Sequence, residues 1–189
     1  MRTVFFSCLL AALAAPALAD PAGTSPNPST FTFSASGTCL ASPAGFNAKL
    51  EPVNTGVAWT TSFTSNGSVD DHGAATEVGQ SVDTASFGVG PRMHSPAPHA
   101  YNSTFSVSIS ETADNVAIFR AGGANGTFTA GPFAGRSFSV SGFELKRLAR
   151  HEGTDVYGAA SPVTQTVSLA GGAKFERVCA LTLSIFPRR

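Results

Sequence analysis

The segment Tyr101-Asn-Ser-Thr-Phe-Ser-Val-Ser-Ile-Ser110 decides the fold class. Tyr101, Phe105, Val107 and Ile109 fall on odd positions, while Asn102, Thr104, Ser106, Ser108 and Ser110 fall on even ones. Side chains of a strand alternate between its two faces, so this spacing makes one apolar and one hydroxyl-rich face. A helix would scatter the same apolar set around its circumference. The segment reads as a half-buried β-strand.

The same period of two recurs on either side. Val57, Trp59, Thr61 and Phe63 share a face, as do Val163, Val167 and Leu169. Phe175, Cys179, Leu181, Leu183 and Ile185 form another such row. Phe31 and Phe33 open the series, Phe46, Ala48 and Leu50 follow, and Val116, Ile118 and Phe119 alternate less cleanly. Asn66-Gly67, Asn125-Gly126, Gly171-Gly172 and the polar run Thr112–Asn115 lie between candidate strands. Asn-Gly and Gly-Gly tolerate the positive φ of tight hairpin turns, so neighbouring strands are expected to be antiparallel. The parity changes at Ser141-Gly142, where Phe138 and Val140 hand over to Phe143 and Leu145; this predicts a β-bulge or a corner between two short strands. The only helix-compatible stretch in the mature chain is a short one, Phe143 to Arg150.

Residues 1–19 read as an export signal: a short positive start at Arg2, an apolar core from Val4 to Ala15, then Pro16 and Ala17-Leu18-Ala19 before a cleavage point at Asp20. The apolar run is shorter than the ~20 residues of a spanning helix. Cleavage leaves 189 − 19 = 170 residues and a formal charge of 11 − 12 = −1. Residues 20–29, with Pro21, Pro26 and Pro28, read as a disordered leader, and residues 30–187 as one antiparallel β domain. Arg exceeds Lys nine to three, which points to a GC-rich bacterial source. The expected location is periplasmic or extracellular.

Cys8 leaves with the signal, so an exported chain retains the even pair Cys39 and Cys179. An oxidising compartment favours a disulfide between them. Their parities match Phe33 and Leu181, so the bridge would be buried and would place the first and last strands side by side. The fold expectation is therefore all-β: a single-domain antiparallel β-barrel, a closed or nearly closed meander, with a β-sandwich as the alternative. In outline this resembles a lipocalin-like barrel, a likeness of fold alone. An outer-membrane barrel would carry Trp and Tyr girdles. This chain has 15 Phe against one Trp and two Tyr, which suits a dry core better.

Balanced charge, 12 basic against 12 acidic residues, removes the footprint of a nucleic-acid binder. No HExxH, C-x-x-C, P-loop, dinucleotide-binding or G-x-S-x-G motif is present, so no cofactor is implied. His72, His94, His99, Met93 and Asp70-Asp71 make the best metal candidate, but their spacing fits no strong template. The simpler reading is a polar turn at Asp70–Gly73 and solvated loop histidines. Lys146, Arg147, Arg150 and His151 form a small basic cluster suited to a solvated strand end. Asn66, Asn102 and Asn125 begin N-x-S/T sequons.

The functional expectation is non-catalytic binding of a small, largely apolar ligand inside the barrel. Trp59, Tyr101, Phe105 and Arg177 are its candidate contacts, with Arg177 on the inward parity of the last strand and able to clamp a carboxylate. The bland alternative for Arg177 is a side chain that snorkels out at the strand end. A fully packed interior, with no cavity of ~300 Å³ or more, would sink this expectation. A structural module of the cell envelope, and an enzyme built around Arg177 at a barrel mouth, are the other two readings.

Overall fold

The computed structural model describes residues 30–41, 44–46, 52–54, 58–86, 97–172 and 174–187. The expected signal and leader, and Met93 and His94, lie outside them. The structure is all-β. Eleven strands form one antiparallel sheet: β1 (Phe31–Ala41), β4 (Ala58–Val69), β5 (Ala74–Ser86), β6 (Ala97–Glu111), β7 (Ala117–Ala121), β8 (Ala124–Ala130), β9 (Ser137–Val140), β10 (Phe143–His151), β11 (Thr154–Gly158), β12 (Val163–Leu169) and β13 (Lys174–Pro187). Two short strands, β2 (Ala44–Phe46) and β3 (Pro52–Asn54), pair only with each other. Of the expected row Phe46, Ala48 and Leu50, only Phe46 lies among the described residues.

The sheet closes on itself. A continuous hydrogen-bonded ring runs β1-β4-β5-β6-β7-β10-β11-β13 and returns to β1. The last step is the pairing of first and last strands, with Phe31 opposite Pro187 and Cys39 opposite Cys179. That closure excludes the sandwich. The barrel is not the simple meander expected, because its wall forks. The C-terminal half of β6 pairs with β7, and its N-terminal half pairs with β8. Likewise the end of β13 pairs with β11 and its beginning with β12. Five long strands, β13-β1-β4-β5-β6, therefore run the full height. The remaining wall is two stacked patches, β7-β10-β11 at one end and β8-β9-β12 at the other.

The inner face follows the parity read from sequence. Phe31, Phe33, Cys39, Val107, Phe119, Leu145, Cys179, Leu183 and Ile185 form one buried core. A second, smaller cluster is built on Val167 and Leu169 with Phe128, Phe133, Phe138 and Phe175. The outward faces of β1, β4 and β6 carry Thr32, Ser34, Ser62, Thr64, Thr104 and Ser106. No helix of the described residues is long and apolar enough to cross a membrane.

Turn chemistry divides. Gly171-Gly172 closes the β12–β13 hairpin with φ of 102° and 89°, and Asn115 takes φ 59° between β6 and β7. Asp70 organises the β4–β5 turn: its Oδ1 accepts the backbone N–H groups of His72 at 2.9 Å and Ala74 at 2.8 Å, and the bond from Ala74 lowers the carboxyl's pKa below its ordinary value. The two expected Asn-Gly turns are not turns. Asn66-Gly67 sits inside β4 and Asn125-Gly126 inside β8. Each glycine faces inward beneath an aromatic ring of the next strand, Phe33 over Gly67 and Phe138 over Gly126. Ser141-Gly142 is a corner, since β9 and β10 belong to different patches. Phe143 to Arg150 is strand β10, not a helix, because its backbone pairs with β7 on one side and β11 on the other.

One barrel end is sealed by charge. Arg147, with an 18% exposed side chain, donates to the carbonyl of Asn115 at 3.2 Å and lies 3.7 Å from Glu111 and 3.9 Å from Asp155. Arg150 grips Asp155 in two-pronged fashion at 2.7 and 3.0 Å. The basic cluster is thus half absorbed into ion pairs.

Candidate functional site

An interior cavity of about 210 Å³ lies within the barrel. It falls short of the expected ~300 Å³ that opens the usual range of ligand pockets. Inward rings take up part of the space: ten aromatic side chains line it, nine of them Phe.

The ionisable and amide side chains of the lining, Glu77, Tyr101, Gln165 and Arg177, lie on β5, β6, β12 and β13. Glu77 on β5 stands opposite Ser103 on β6, and the Ser103 hydroxyl donates to its Oε2 at 2.5 Å. Arg177 on β13 stands opposite Gln165 on β12, and its Nε donates to Gln165 Oε1 at 3.0 Å. The same oxygen lies 3.3 Å from Cys179 Sγ. That sulfur is bonded to Cys39 and carries no proton, so the approach is a contact and not a hydrogen bond. Gln165 and Ser103 are buried, so their partners are held by groups with no competing water.

Tyr101 sits among these groups, its ring edge-on to Phe138 at 5.8 Å. Burial pushes its phenol well above the ordinary value, and the negative charge of Glu77 adds to this; the Ser65 hydroxyl and the Arg177 guanidinium oppose it. The phenol is therefore a proton-bearing donor throughout the physiological range. Its position depends on Gly79, directly opposite on β5. A methyl group there would stand 2.3 Å from Tyr101 Cζ.

Of the four expected ligand contacts, Tyr101, Phe105 and Arg177 line the cavity together. Trp59 is placed in β4 opposite Ala41, and its side chain lies outside the described residues. Arg177 is half-buried, and its guanidinium Nε is held by Gln165 on the neighbouring strand. Cys39 and Cys179 are bonded and almost wholly buried.

The sequence reading missed Glu77, Ser103, Ser81 and Gln165 on the inner face. Alternation marks Ser103 and Gln165, which share parity with Phe105 and Val167. Glu77 left no such signal. The inward residues of its strand are Ala75, Glu77, Gly79 and Ser81, while Val78 and Val82 point out at 65% and 38% exposure. Hydrophobicity alone turns this strand the wrong way round.

Of the metal candidate, Met93 and His94 lie outside the described residues, and His72 and His99 are on different elements. His72 is at an exposed hairpin tip, whereas His99 is buried in β6 and stacked on Phe133 at 4.8 Å. His99 is therefore a core side chain and not a solvated loop residue, because β6 already begins at Ala97. Among the described residues no three His, Cys, Asp or Glu side chains group as ligands. The sequon residues Asn66, Asn102 and Asn125 are all exposed on outward faces. No protein-family model matches the chain, and no curated protein matches it significantly.

Proposed function

We propose that the barrel binds one small ligand in its interior, with a largely apolar body among the Phe rings and a polar end among Arg177, Gln165, Tyr101 and Glu77. The observation that carries this reading is the lining: an aromatic cavity of about 210 Å³ with a few convergent polar groups. The size scales the ligand down from the one first expected, to roughly a substituted benzene or a short branched chain.

Convergent ionisable groups are also what an enzyme needs. Their arrangement favours holding over reacting. The raised phenol of Tyr101 offers a donor and not a base near neutral pH.

Titration with toluene and benzyl alcohol, followed by amide ¹⁵N NMR, tests the proposal. Shifts are expected at Phe63, Tyr101 and Phe105. They should vanish in Ala35→Leu, which fills the cavity from β1. Well-dispersed spectra that neither probe moves would sink the reading.

A further inference from the structure

Resting on that reading, we infer that a cleft on the outside of the wall is a second compartment of the ligand site, where a small uncharged ligand docks before passing inward between β11 and β12. The cleft measures about 520 Å³ and is lined by β1, β13 and the β11–β12 connection, residues 159–162. It sits at the fork of β13. β11 pairs with that strand as far as Gly158, opposite Thr182, and β12 begins at Val163, opposite Cys179. Ala180 and Leu181 pair with β1 on one side and with neither β11 nor β12 on the other. At ~3.4 Å per residue, roughly 10 Å of β13 is bordered there by the connection and not by a strand.

Two side chains close this opening from within. Leu181 is buried and Phe63 half-buried, and they meet over Gly37, where an added methyl would lie 2.8 Å from Leu181 Cδ2 and 2.7 Å from Phe63 Cε1. Both line the interior cavity and the outer cleft, as do Ser36 and Thr182. The two spaces thus share four residues and are parted by a layer one side chain thick. A rotamer change at Leu181 breaks no hydrogen bond, whereas parting two paired strands breaks a ladder of them. The barrel end closed by Arg147 would have to give up its contacts with Glu111 and Asp155.

The lining sets the class of ligand. Leu148, with 64% exposure, Pro162 and Ala180 give the cleft apolar surface, and Thr38, Ser161 and Thr182 add neutral hydroxyls. Among the described residues no charged side chain lines it. A charged ligand would shed water in the cleft and between Phe63 and Leu181 without meeting a counter-charge. A neutral molecule with an apolar body and one hydroxyl, such as an aryl or short alkyl alcohol, finds a partner for each part.

Benzyl alcohol and toluene, titrated into the full chain and followed by amide ¹⁵N NMR, test the inference. In the wild type, Ala160 and Ser161 should shift at probe concentrations above those that saturate Phe105. Ala160→Trp and Ala180→Trp fill the cleft from exposed positions that do not line the cavity. Each should slow association and dissociation of benzyl alcohol by the same factor, ~5-fold or more, and leave Kd within ~2-fold, since a blocked path slows both directions alike. Interior shifts without any at Ala160 or Ser161, or unchanged rates in both folded variants, overturn the inference and leave the cavity reading standing. No shift anywhere in the wild type sinks both. The wild-type titration decides the matter if neither variant folds.

Discussion

Gly79→Ala is expected to destabilise the barrel although it adds one methyl group to a strand. That methyl would meet Tyr101 Cζ at 2.3 Å, Oη at 2.4 Å and Cε1 at 2.8 Å, where ordinary contact begins near 3.4 Å. The ring must retreat by more than 1 Å, and the phenol is drawn away from Glu77. Overpacking of this kind costs ~1–3 kcal/mol. A buried donor drawn off its partners adds ~1–3 kcal/mol. Replacing a strand glycine returns ~0.5–1 kcal/mol through the unfolded chain. The net expectation is a loss of about 1–5 kcal/mol. Guanidinium melts with the disulfide intact read it as a lowered midpoint at unchanged slope. Tyr101→Ala supplies the control. In that background the ring is gone, so Gly79→Ala should be neutral or stabilising by up to ~1 kcal/mol. Equal losses in both backgrounds would refute the clash, and a loss under ~0.5 kcal/mol in the wild type would show that the ring does not lie across Gly79.

Three further outcomes follow from the structure. Replacing Cys39 and Cys179 together by Ala should lower stability by ~2–5 kcal/mol, with the 140-residue separation setting the upper figure; a loss below ~1 kcal/mol would show that strand pairing alone closes the barrel. Absorbance at 295 nm should show both tyrosines of the folded protein ionising at higher pH than a free phenol, since burial raises both Tyr101 and Tyr157. Because the folded phenols keep their protons after the unfolded ones lose theirs, stability should hold below pH ~10 and then fall with rising pH by up to ~1.4 kcal/mol per pH unit per phenol, until the folded groups ionise; ordinary titration near pH 10 without unfolding would contradict this. Arg147→Ala should cost ~1–2 kcal/mol and the more exposed Arg150→Ala less than ~1 kcal/mol, by chemical denaturation; the reverse order would show that Arg147 does not seal the barrel end.

Alternation made the barrel legible wherever a strand carries large apolar residues inward. Phe31, Val107 and Leu183 were placed correctly for that reason, and the shared parity of Cys39 and Cys179 foretold their pairing. The site was half legible. Tyr101, Phe105 and Arg177 lie in strands with strong alternation, so their direction could be read. Glu77 lies in β5, where small and polar residues face in and valines face out, so nothing local reveals its orientation. The fork of the wall was unreadable for another reason. Local pattern shows that β7, β8, β9 and β10 are short, but pairing partners are set by register along β6 and β13, more than ten residues away in several cases. Asn66-Gly67 and Asn125-Gly126 misled because the dipeptide is compatible with two uses. Glycine permits a turn by its φ, and it permits an aromatic ring to cross the strand by its missing Cβ.

That second use explains why a barrel with so many Phe is hollow. Four cross-strand pairs set an inward glycine directly opposite an aromatic residue: Phe33 with Gly67, Phe63 with Gly37, Tyr101 with Gly79 and Phe138 with Gly126. In each, a methyl group on the glycine would lie 2.3–2.7 Å from a ring atom. The rings therefore lean across the neighbouring strand's backbone. Such pairing restores to the glycine strand the packing it lacks. It also covers the wall with aromatic surface while leaving the axis open, and all four rings line the cavity. A side chain at any of these glycines would turn its partner ring inward, where the free space is. Loss of stability and loss of cavity are thus expected to travel together across Gly37, Gly67, Gly79 and Gly126. Substitution of an exposed turn glycine such as Gly171, with nothing within 4 Å but φ 102°, should strain the turn and leave the cavity unchanged.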